Sequence, residues 1–408
     1  MEPQFPNIRH LRAFTEVARQ GSISQAAEVV FLSQPAITHA ISKLETALNT
    51  TLFIRLHKGM SLTETGRSYL RRTDRALAEI ALGAKKATGN GQNNLERVDQ
   101  KLTVPQLRAL VALATARSFS MAAWNIGISQ PSIHRAARDL EKIIGQPLFL
   151  ASGKGITLTP TAEMLVRHIR IAASELQQGF YEIAARQGRD TTRITIGSLP
   201  LARAWCLPQS IHKFLKDKEF VQVKTVEGPY LKLLRDLRHG QLDLIIGALR
   251  DPAPHVDIIQ ETLFEDPLAI AVRYGHPLSK TANLNLNDTL NYPWIAPPKQ
   301  TPTGTYLHDM LHISDMENTP IKVVSSSLVL VRGMLLAGDY VTITSVNQIQ
   351  HELKKKSLIA LPIDLPKSAR PIGLTYRRDW EPTPTQNLFL DIVRKIHLDQ
   401  SGLVTIDE

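Results

Sequence analysis

The sequence predicts a mixed chain, in which two small, mainly helical modules in tandem are followed by a larger α/β domain. Three observations lead there. The first half repeats itself at a fixed offset, and the apolar periodicity changes at Arg193 from helical to alternating strand and helix. The 408 residues, 43% of them hydrophobic, can also fill several separate cores. A net charge of +10 favours a polyanionic partner, without separating DNA from RNA or an acidic membrane surface. The single cysteine, Cys206, excludes an intrachain disulfide framework and a thiolate-rich metal site, and suits a reducing compartment. Met1-Glu2-Pro3-Gln4 does not lead into an apolar signal core, and no stretch approaches the length of a membrane span. A cytoplasmic protein outside any membrane is expected.

The repeat has an offset of 96 residues and needs no gap, with 22 identities in the 55 positions from 11–65 against 107–161. Unrelated sequences would share roughly 3, so the match indicates duplication. Each copy opens with an apolar-periodic helix, Leu11, Phe14 and Val17 or Leu107, Leu110 and Leu113. A second helix is expected after Ser24 or Ser120 as cap, carrying Ala26-Ala27 or Ala122-Ala123. Ser33 or Ser129 then caps a third helix, with Pro35 or Pro131 in its first turn, where a missing N–H is harmless. Its apolar face runs through Ile37, Ile41 and Leu44, or Ile133, Ala137 and Leu140, and its end falls at Asn49 or Gly145, residues that tolerate a left-handed cap. Leu52-Phe53 and Leu62, like Leu148-Phe149 and Leu158, flank polar tips with Lys58-Gly59 and Lys154-Gly155 and read as hairpins.

Ser33-Gln34-Pro35-Ala36-Ile37, Leu44-Glu45, Leu52-Phe53, Arg55 and Leu62-Thr63-Glu64-Thr65-Gly66 resemble the signature of LysR-type transcriptional regulators. The resemblance implies winged helix-turn-helix modules whose third helix enters the major groove of double-stranded DNA. It makes Ser33, Gln34, Pro35, Thr38 and His39 the expected readers, with Arg55 and Lys58 on phosphates. Copy two keeps Ser129-Gln130-Pro131 and places His134 and Arg135 at the matching positions, with Lys154 in its wing. Arginine suits guanine edges. Copy two departs from the pattern at Ala151 and Ala162, where the family has arginine and glycine. The family carries one such module per chain, so both copies contacting DNA and one having drifted into a dimerisation or spacing role are both open.

After the second wing, Leu165, Ile169, Ala172, Leu176, Phe180 and Ile183 recur at three- and four-residue spacing. The stripe reads as a dimer seam, as the equivalent helix is in the resembled family, with packing back on the chain's own modules as the lesser alternative. The counterpart after copy one, Leu70, Leu77, Ile80 and Ala84, is weaker and runs into the polar linker Gly89 to Asn94. The expected domains are residues 1–66, a helix and linker at 67–100, 101–162, a dimerisation helix at 163–190, and 191–408.

In the last domain, Ile194 to Gly197, Val221 to Val226, Leu242 to Gly247 and Val341 to Thr344 read as strands, with helices at Pro208 to Leu215 and Tyr230 to Leu237 between the first three. Crossovers of this kind predict a parallel sheet. The domain resembles the two-lobed, periplasmic-binding-protein-like effector domain of the same family. Lobe one is expected from 193 to about 268 and again after about 370. Val226 to Tyr230, Gly247 to Pro252 and Arg378 to Pro384 are similar to the galactose-binding-protein-regulator branch.

Helix starts at Ser198-Leu199, Thr301 to Gly304 and Ser325 to Ser327 would gather free N–H groups and hydroxyls at strand ends, suiting a carboxylate or a sugar-derived ligand. The candidate effector residues are Ser198, Leu199, Gly247, Arg250, Pro297, Thr303, Ser326, Ser327 and Thr344. Arg250 would pair with an acid, or else with Asp251 or Glu265. No nucleophile elbow or phosphate-binding glycine loop is present, and the thirteen histidines lack metal-ligand spacing, so no enzyme, cofactor or metal is expected. An effector-responsive regulator acting as a homodimer or homotetramer is the favoured reading, and a constitutive architectural DNA binder with a vestigial sensor domain is the other.

Overall fold

The computed structural model describes residues 5–396 apart from 58, 90–97, 154 and 317. Lys58, Lys154 and the linker residues Asn90 to Asn94 therefore lie outside the described residues. The chain divides into two compact units, broadly the residues up to Arg193 and those from Ile194 onward.

In the first unit, α1 (Ile8–Gln20), α2 (Ile23–Val30), α3 (Gln34–Leu48), the hairpin β1 (Phe53–Leu56) and β2 (Gly59–Leu62), and the long α4 (Glu64–Thr88) precede a short α5 (Val98–Lys101). The same order then recurs as α6 (Val104–Ala116), α7 (Phe119–Ile126), α8 (Gln130–Ile144), β3 (Phe149–Ser152), β4 (Gly155–Leu158) and α9 (Pro160–Arg186). Ser33 and Ser129 cap α3 and α8 through the amides of Ala36 and Ser132, and Asn49 and Gly145 close them in the left-handed region. The caps of α2 and α7 are Ser22 and Ser118 rather than Ser24 and Ser120. The chain already reverses at Gly21 and Arg117, left-handed residues that close the preceding helices, so the next residue takes the extended conformation a cap requires.

Each wing is tied to its module at two points. Glu45 Oε1 accepts from the Leu52 amide at 2.7 Å, and Glu141 Oε1 from that of Leu148 at 2.8 Å. The Met60 and Ile156 amides donate to the carbonyls of Gly21 and Arg117 at 2.8 and 2.9 Å. Gly59 and Gly155, at φ of 116° and 124°, pass so near these carbonyls that a Cβ would lie 2.4 Å from the oxygen. Both the backbone angle and the space demand glycine there.

Helices α4 and α9 pack antiparallel against each other. Glu64 meets Arg186 and Ser68 meets Glu182 at one end, and Glu79 meets His168 toward the other. Leu165, Ile169, Ala172, Leu176 and Ile183 are buried in one continuous core with Ile80, Ala84 and apolar residues of both modules. The stripe read as an intermolecular seam is thus covered within the chain. The weakness of the α4 stripe is made up by small residues, because Gly83 and Gly179 let the partner helix approach closely. Between the helices, fully buried Arg72 bonds Glu175 at 2.9 Å and Glu182 at 2.5 Å.

The second unit runs β5 (Arg193–Ser198), α10 (Pro200–Ala204), α11 (Cys206–Leu215), β6 (Gln222–Glu227), α12 (Tyr230–Arg238), β7 (Leu244–Ala248), β8 (Ile258–Asp266), β9 (Leu268–Arg273), α13 (Leu286–Thr289), β10 (Trp294–Ala296), α14 (Pro302–Asp309), β11 (Ile321–Val324), α15 (Leu328–Ala337), β12 (Val341–Ser345), α16 (Gln350–Lys354), β13 (Leu358–Ala360), β14 (Arg370–Arg377) and α17 (Pro384–Lys395). They form two five-stranded sheets, ordered β6-β5-β7-β14-β8 and β11-β10-β12-β9-β13. The expected parallel sheet is mixed instead. β5 and β7 are parallel, as β10 is to β11 and β12, but β14 runs antiparallel to β7 and β8, and β9 antiparallel to β12 and β13. The cause is the double passage between lobes: β8 continues almost directly into β9 of the other sheet, and β14 brings the chain back.

Candidate functional site

The exposed side of α3 is lined by Gln34, Pro35, Thr38, His39, Ser42 and Lys43, while Ile37, Ala40, Ile41 and Leu44 are buried. Gln34, Pro35, Thr38, His39 and Ser42 share an open concavity with Ile23 of α2. The Thr38 hydroxyl donates to the Gln34 carbonyl at 3.0 Å. Burial, then the neighbouring His39 and Lys43, hold the His10 pKa below its usual value. Arg55 is exposed on β1 of the wing.

On α8, Gln130, Pro131, Ser132, Arg135 and Arg138 are exposed. His134 behaves differently. Its ring stacks on Phe119 with centroids 3.7 Å apart and planes 13° from parallel, which fixes its direction. Arg135 has no carboxylate partner among the described residues, whereas Arg138 pairs with Glu141 at 2.8 Å. Trp124 of α7 is 79% exposed.

The effector candidates sit at strand ends, in different circumstances. Ser198 ends β5 with its hydroxyl buried and without a hydrogen-bond partner. Leu199 is packed against Gly247, where an added Cβ would lie 2.5 Å from that of Leu199. The Leu199 amide already bonds the Ile246 carbonyl, and five-residue α10 begins with a proline, so this helix start offers fewer free donors than its sequence suggested. Arg250 pairs with neither Asp251 nor Glu265; its guanidinium lies 4.5 Å over the ring of Tyr230, whose buried hydroxyl is also without a partner. Burial, and then the charge of Arg370, lower the Arg250 pKa, and Arg250 Nη1 donates weakly to the Ala248 and Leu249 carbonyls at 3.5 and 3.4 Å.

Arg370 binds Asp266 at 3.2 Å and the Thr303 hydroxyl in the first turn of α14, so Thr303 is engaged from the other lobe. Asp266 also accepts from Ser345 at 2.6 Å and Asn347 at 3.0 Å. Thr344 Oγ1 donates to Gln348 at 3.3 Å, and Pro297 follows β10, half-buried. Ser327 caps α15, and Ser326 beside it is exposed. The structure thus joins Arg250 to Tyr230, and Arg370 to Asp266 and Thr303, while Ser326 and Ser327 belong to neither set. Sequence reasoning missed Tyr230, Asp266 and Arg370, since nothing in one sequence pairs Arg370 with residues 67 and 104 positions away.

Residues 8–67 and 104–163 match the bacterial regulatory helix-turn-helix protein model of the lysR family, and residues 187–396 match the LysR substrate binding domain. The chain belongs to the LysR family. It is 32% identical over 401 residues to the HTH-type transcriptional regulator GalR of Pseudomonas putida, covering 98% of this chain and 100% of that one. It is 28% identical over 299 residues to the regulator PcaQ of Agrobacterium fabrum, covering 73% of this chain and 96% of PcaQ. A full-length OxyR variant from Pseudomonas aeruginosa shares the fold with a TM-score of 0.53 at 21% identity, covering 71% of this chain and 97% of that one. The protein is a LysR-type transcriptional regulator with an effector-binding domain, and its relatives regulate transcription rather than catalyse reactions. Among the described residues, no helix is long and apolar enough to cross a membrane.

Proposed function

We propose that this regulator arose by duplication of its DNA-binding module and that both copies contact double-stranded DNA in the cytoplasm, under control of a small acidic effector. The observation that carries the DNA reading is that both third helices, each opened by Ser-Gln-Pro, keep a polar face open to solvent. Gln34, Thr38 and His39 read bases from α3, with Ser33 and Pro35 setting the helix start, and Gln130 and Arg135 read them from α8, with Ser129 and Pro131 in the same role. His134, held on Phe119, supports its neighbours and contacts the groove edge. Arg55, Lys58 and Lys154 contact phosphates.

The effector reading rests on Arg250, which has no carboxylate partner among the described residues and lies over the ring of Tyr230, and on the unsatisfied hydroxyls of Tyr230 and of Ser198 at the end of β5. Such a set suits a carboxylate, and the likeness of residues 226–230 and 247–252 to the galactose-binding-protein-regulator branch favours a sugar-derived acid. Leu199, Gly247, Pro297, Thr303 and Thr344 are assigned to the rest of the site from their places at strand ends and helix starts, and Ser326 and Ser327 from the start of α15. Assembly into homodimers or homotetramers then uses surfaces other than the α9 stripe.

A footprint on the DNA upstream of the protein's own reading frame, with and without sugar acids, sugars and aromatic acids, tests both parts. A long protected region that an acid alters is expected, and calorimetry should show that binding weakened by Arg250→Ala and by a Ser198→Leu, Ser326→Leu double variant. Equal affinity for every ligand in both variants would remove the proposed pocket.

A further inference from the structure

The contacts between α4 and α9 obey a rule. Exchange the residues of the central contacts for those 96 positions away, and each of the following maps onto another that is present. Gly83 lies against His168 and Leu165, and Gly179 against Arg72 and Tyr69. Glu79 bonds His168 at 2.7 Å, and Glu175 bonds Arg72 at 2.9 Å. The pairs 72 and 168, 79 and 175, 83 and 179, and 69 and 165 are all separated by the offset of the sequence repeat. This is the signature of an isologous interface, the arrangement two identical subunits make about a two-fold axis, formed here inside one chain.

The interface also selects unlike partners. Glu182 reaches Arg72, and the equivalent contact joins Lys86 Nζ to His168 at 3.4 Å. Pairing α4 with a second α4 would place Lys86 against the fully buried Arg72, a cation against a cation that water does not reach. Pairing α4 with α9 puts Glu182 in that place instead. The two modules then share one continuous apolar core, and Arg12 of α1 is pinned to Asp99, just before module two, at 2.9 Å. The spacing of the two reading helices is fixed by packing rather than left to a tether.

We infer that one chain is a complete, asymmetric pair of reading heads, so that a single molecule recognises a bipartite DNA site whose two halves differ in sequence. This rests on the DNA reading proposed above. The halves differ because the heads do: Thr38, His39, Ser42 and Lys43 on α3 stand where α8 has His134, Arg135, Arg138 and Asp139. Two identical heads would call for a palindrome.

Two experiments on the full-length protein test it. Randomised duplex DNA is selected on the wild type, on His39→Ala and on Arg135→Ala. The expected wild-type motif has two unlike halves at fixed spacing. Each variant should relax base preference in one half only, with Arg135→Ala weakening binding to the wild-type motif roughly 5- to 150-fold. A motif with identical halves, or variants that each relax both halves, would overturn the inference while leaving DNA reading intact. Absence of any selected motif overturns the DNA reading, and the inference with it.

Gly83→Cys combined with His168→Cys supplies a second readout that needs no DNA. An ideal Cβ on residue 83 lies 2.7 Å from that of His168, close enough for a disulfide after a small shift. Oxidation should give a single-chain species of altered mobility on a denaturing gel. A covalent dimer would show that α4 pairs with α9 of another chain, and no cross-link in protein that retains its helical circular dichroism would show that the helices are not paired.

Discussion

Replacing Arg72 by alanine tests the helix pair at its most sensitive point. The arginine is 0% exposed, and its partners Glu175 and Glu182 are 1% and 6% exposed, so water screens none of them. Removing the cation strands two buried carboxylates. Glu175 keeps Arg75 at 3.0 Å and Glu182 keeps Ser68 at 2.6 Å, so the loss corresponds to one broken buried pair, about 3–5 kcal/mol. Set against the roughly 5–15 kcal/mol that holds a domain folded, this is a large fraction. At a urea dependence near 2 kcal/mol per molar, the midpoint of the helix-rich unit should fall by about 2 M, read by far-ultraviolet circular dichroism. The variant Arg72→Met, Glu175→Met, Glu182→Leu should recover most of that loss, because an apolar core of similar volume needs no charge balance. A single variant that loses less than about 1 kcal/mol, or a triple variant no better than the single, would refute this account of the cluster.

Other outcomes follow from the same structure. Arg55→Ala should weaken binding to all DNA sequences alike and flatten the salt slope by about one unit, whereas a sequence-selective loss would contradict a phosphate contact. Glu141→Ala removes the acceptor of the Leu148 and Phe149 amides, at 2.8 and 3.1 Å, and should destabilise module two by about 1–3 kcal/mol. Unchanged hydrogen-exchange protection at those amides would count against it. Burial foremost raises the Asp243 pKa from the usual 3.8 to about 6, so the folded state prefers the neutral acid. The stability this lends is fully present below 3.8 and is lost as pH rises through about 6. Asp243→Asn should therefore match the wild type in thermal unfolding near the lower value and exceed it above the higher one, and a parallel pH profile for the two proteins would dismiss that.

What the sequence exposed was local chemistry and repetition. Ser33, Ser129, Asn49 and Gly145 do in space what their residue types suggest, because caps depend on one or two residues of backbone. The caps at Ser22 and Ser118 were misplaced by two residues because Ser-x-Ser offers two hydroxyls, and only the left-handed turn before the first decides between them. The antiparallel course of β14 was hidden, since it depends on a chain that leaves the sheet after Asp266 and comes back at Arg370. The fate of the α9 stripe was open for a similar reason. Apolar spacing shows that a face will be covered, and only Gly83, Arg72 and their repeats show that α4 of the same chain covers it. In the effector domain, Ser198 and Arg250 could be found as strand-end residues, but the ring under Arg250 and the orphan hydroxyl of Ser198 are facts of packing.

Trp124 has an optical consequence. The other three tryptophans, Trp205, Trp294 and Trp380, are 6%, 0% and 6% exposed and belong to the two-sheet unit, while Trp124 stands 79% exposed in the helical one. A wetted indole emits toward the red and is reached by acrylamide or iodide in water, while the enclosed three emit toward the blue and are shielded. The unlabelled protein thus carries a separate fluorophore in each unit. A water-borne quencher therefore reports on the helical unit through the red edge of the emission, and the blue edge reports on the two-sheet unit.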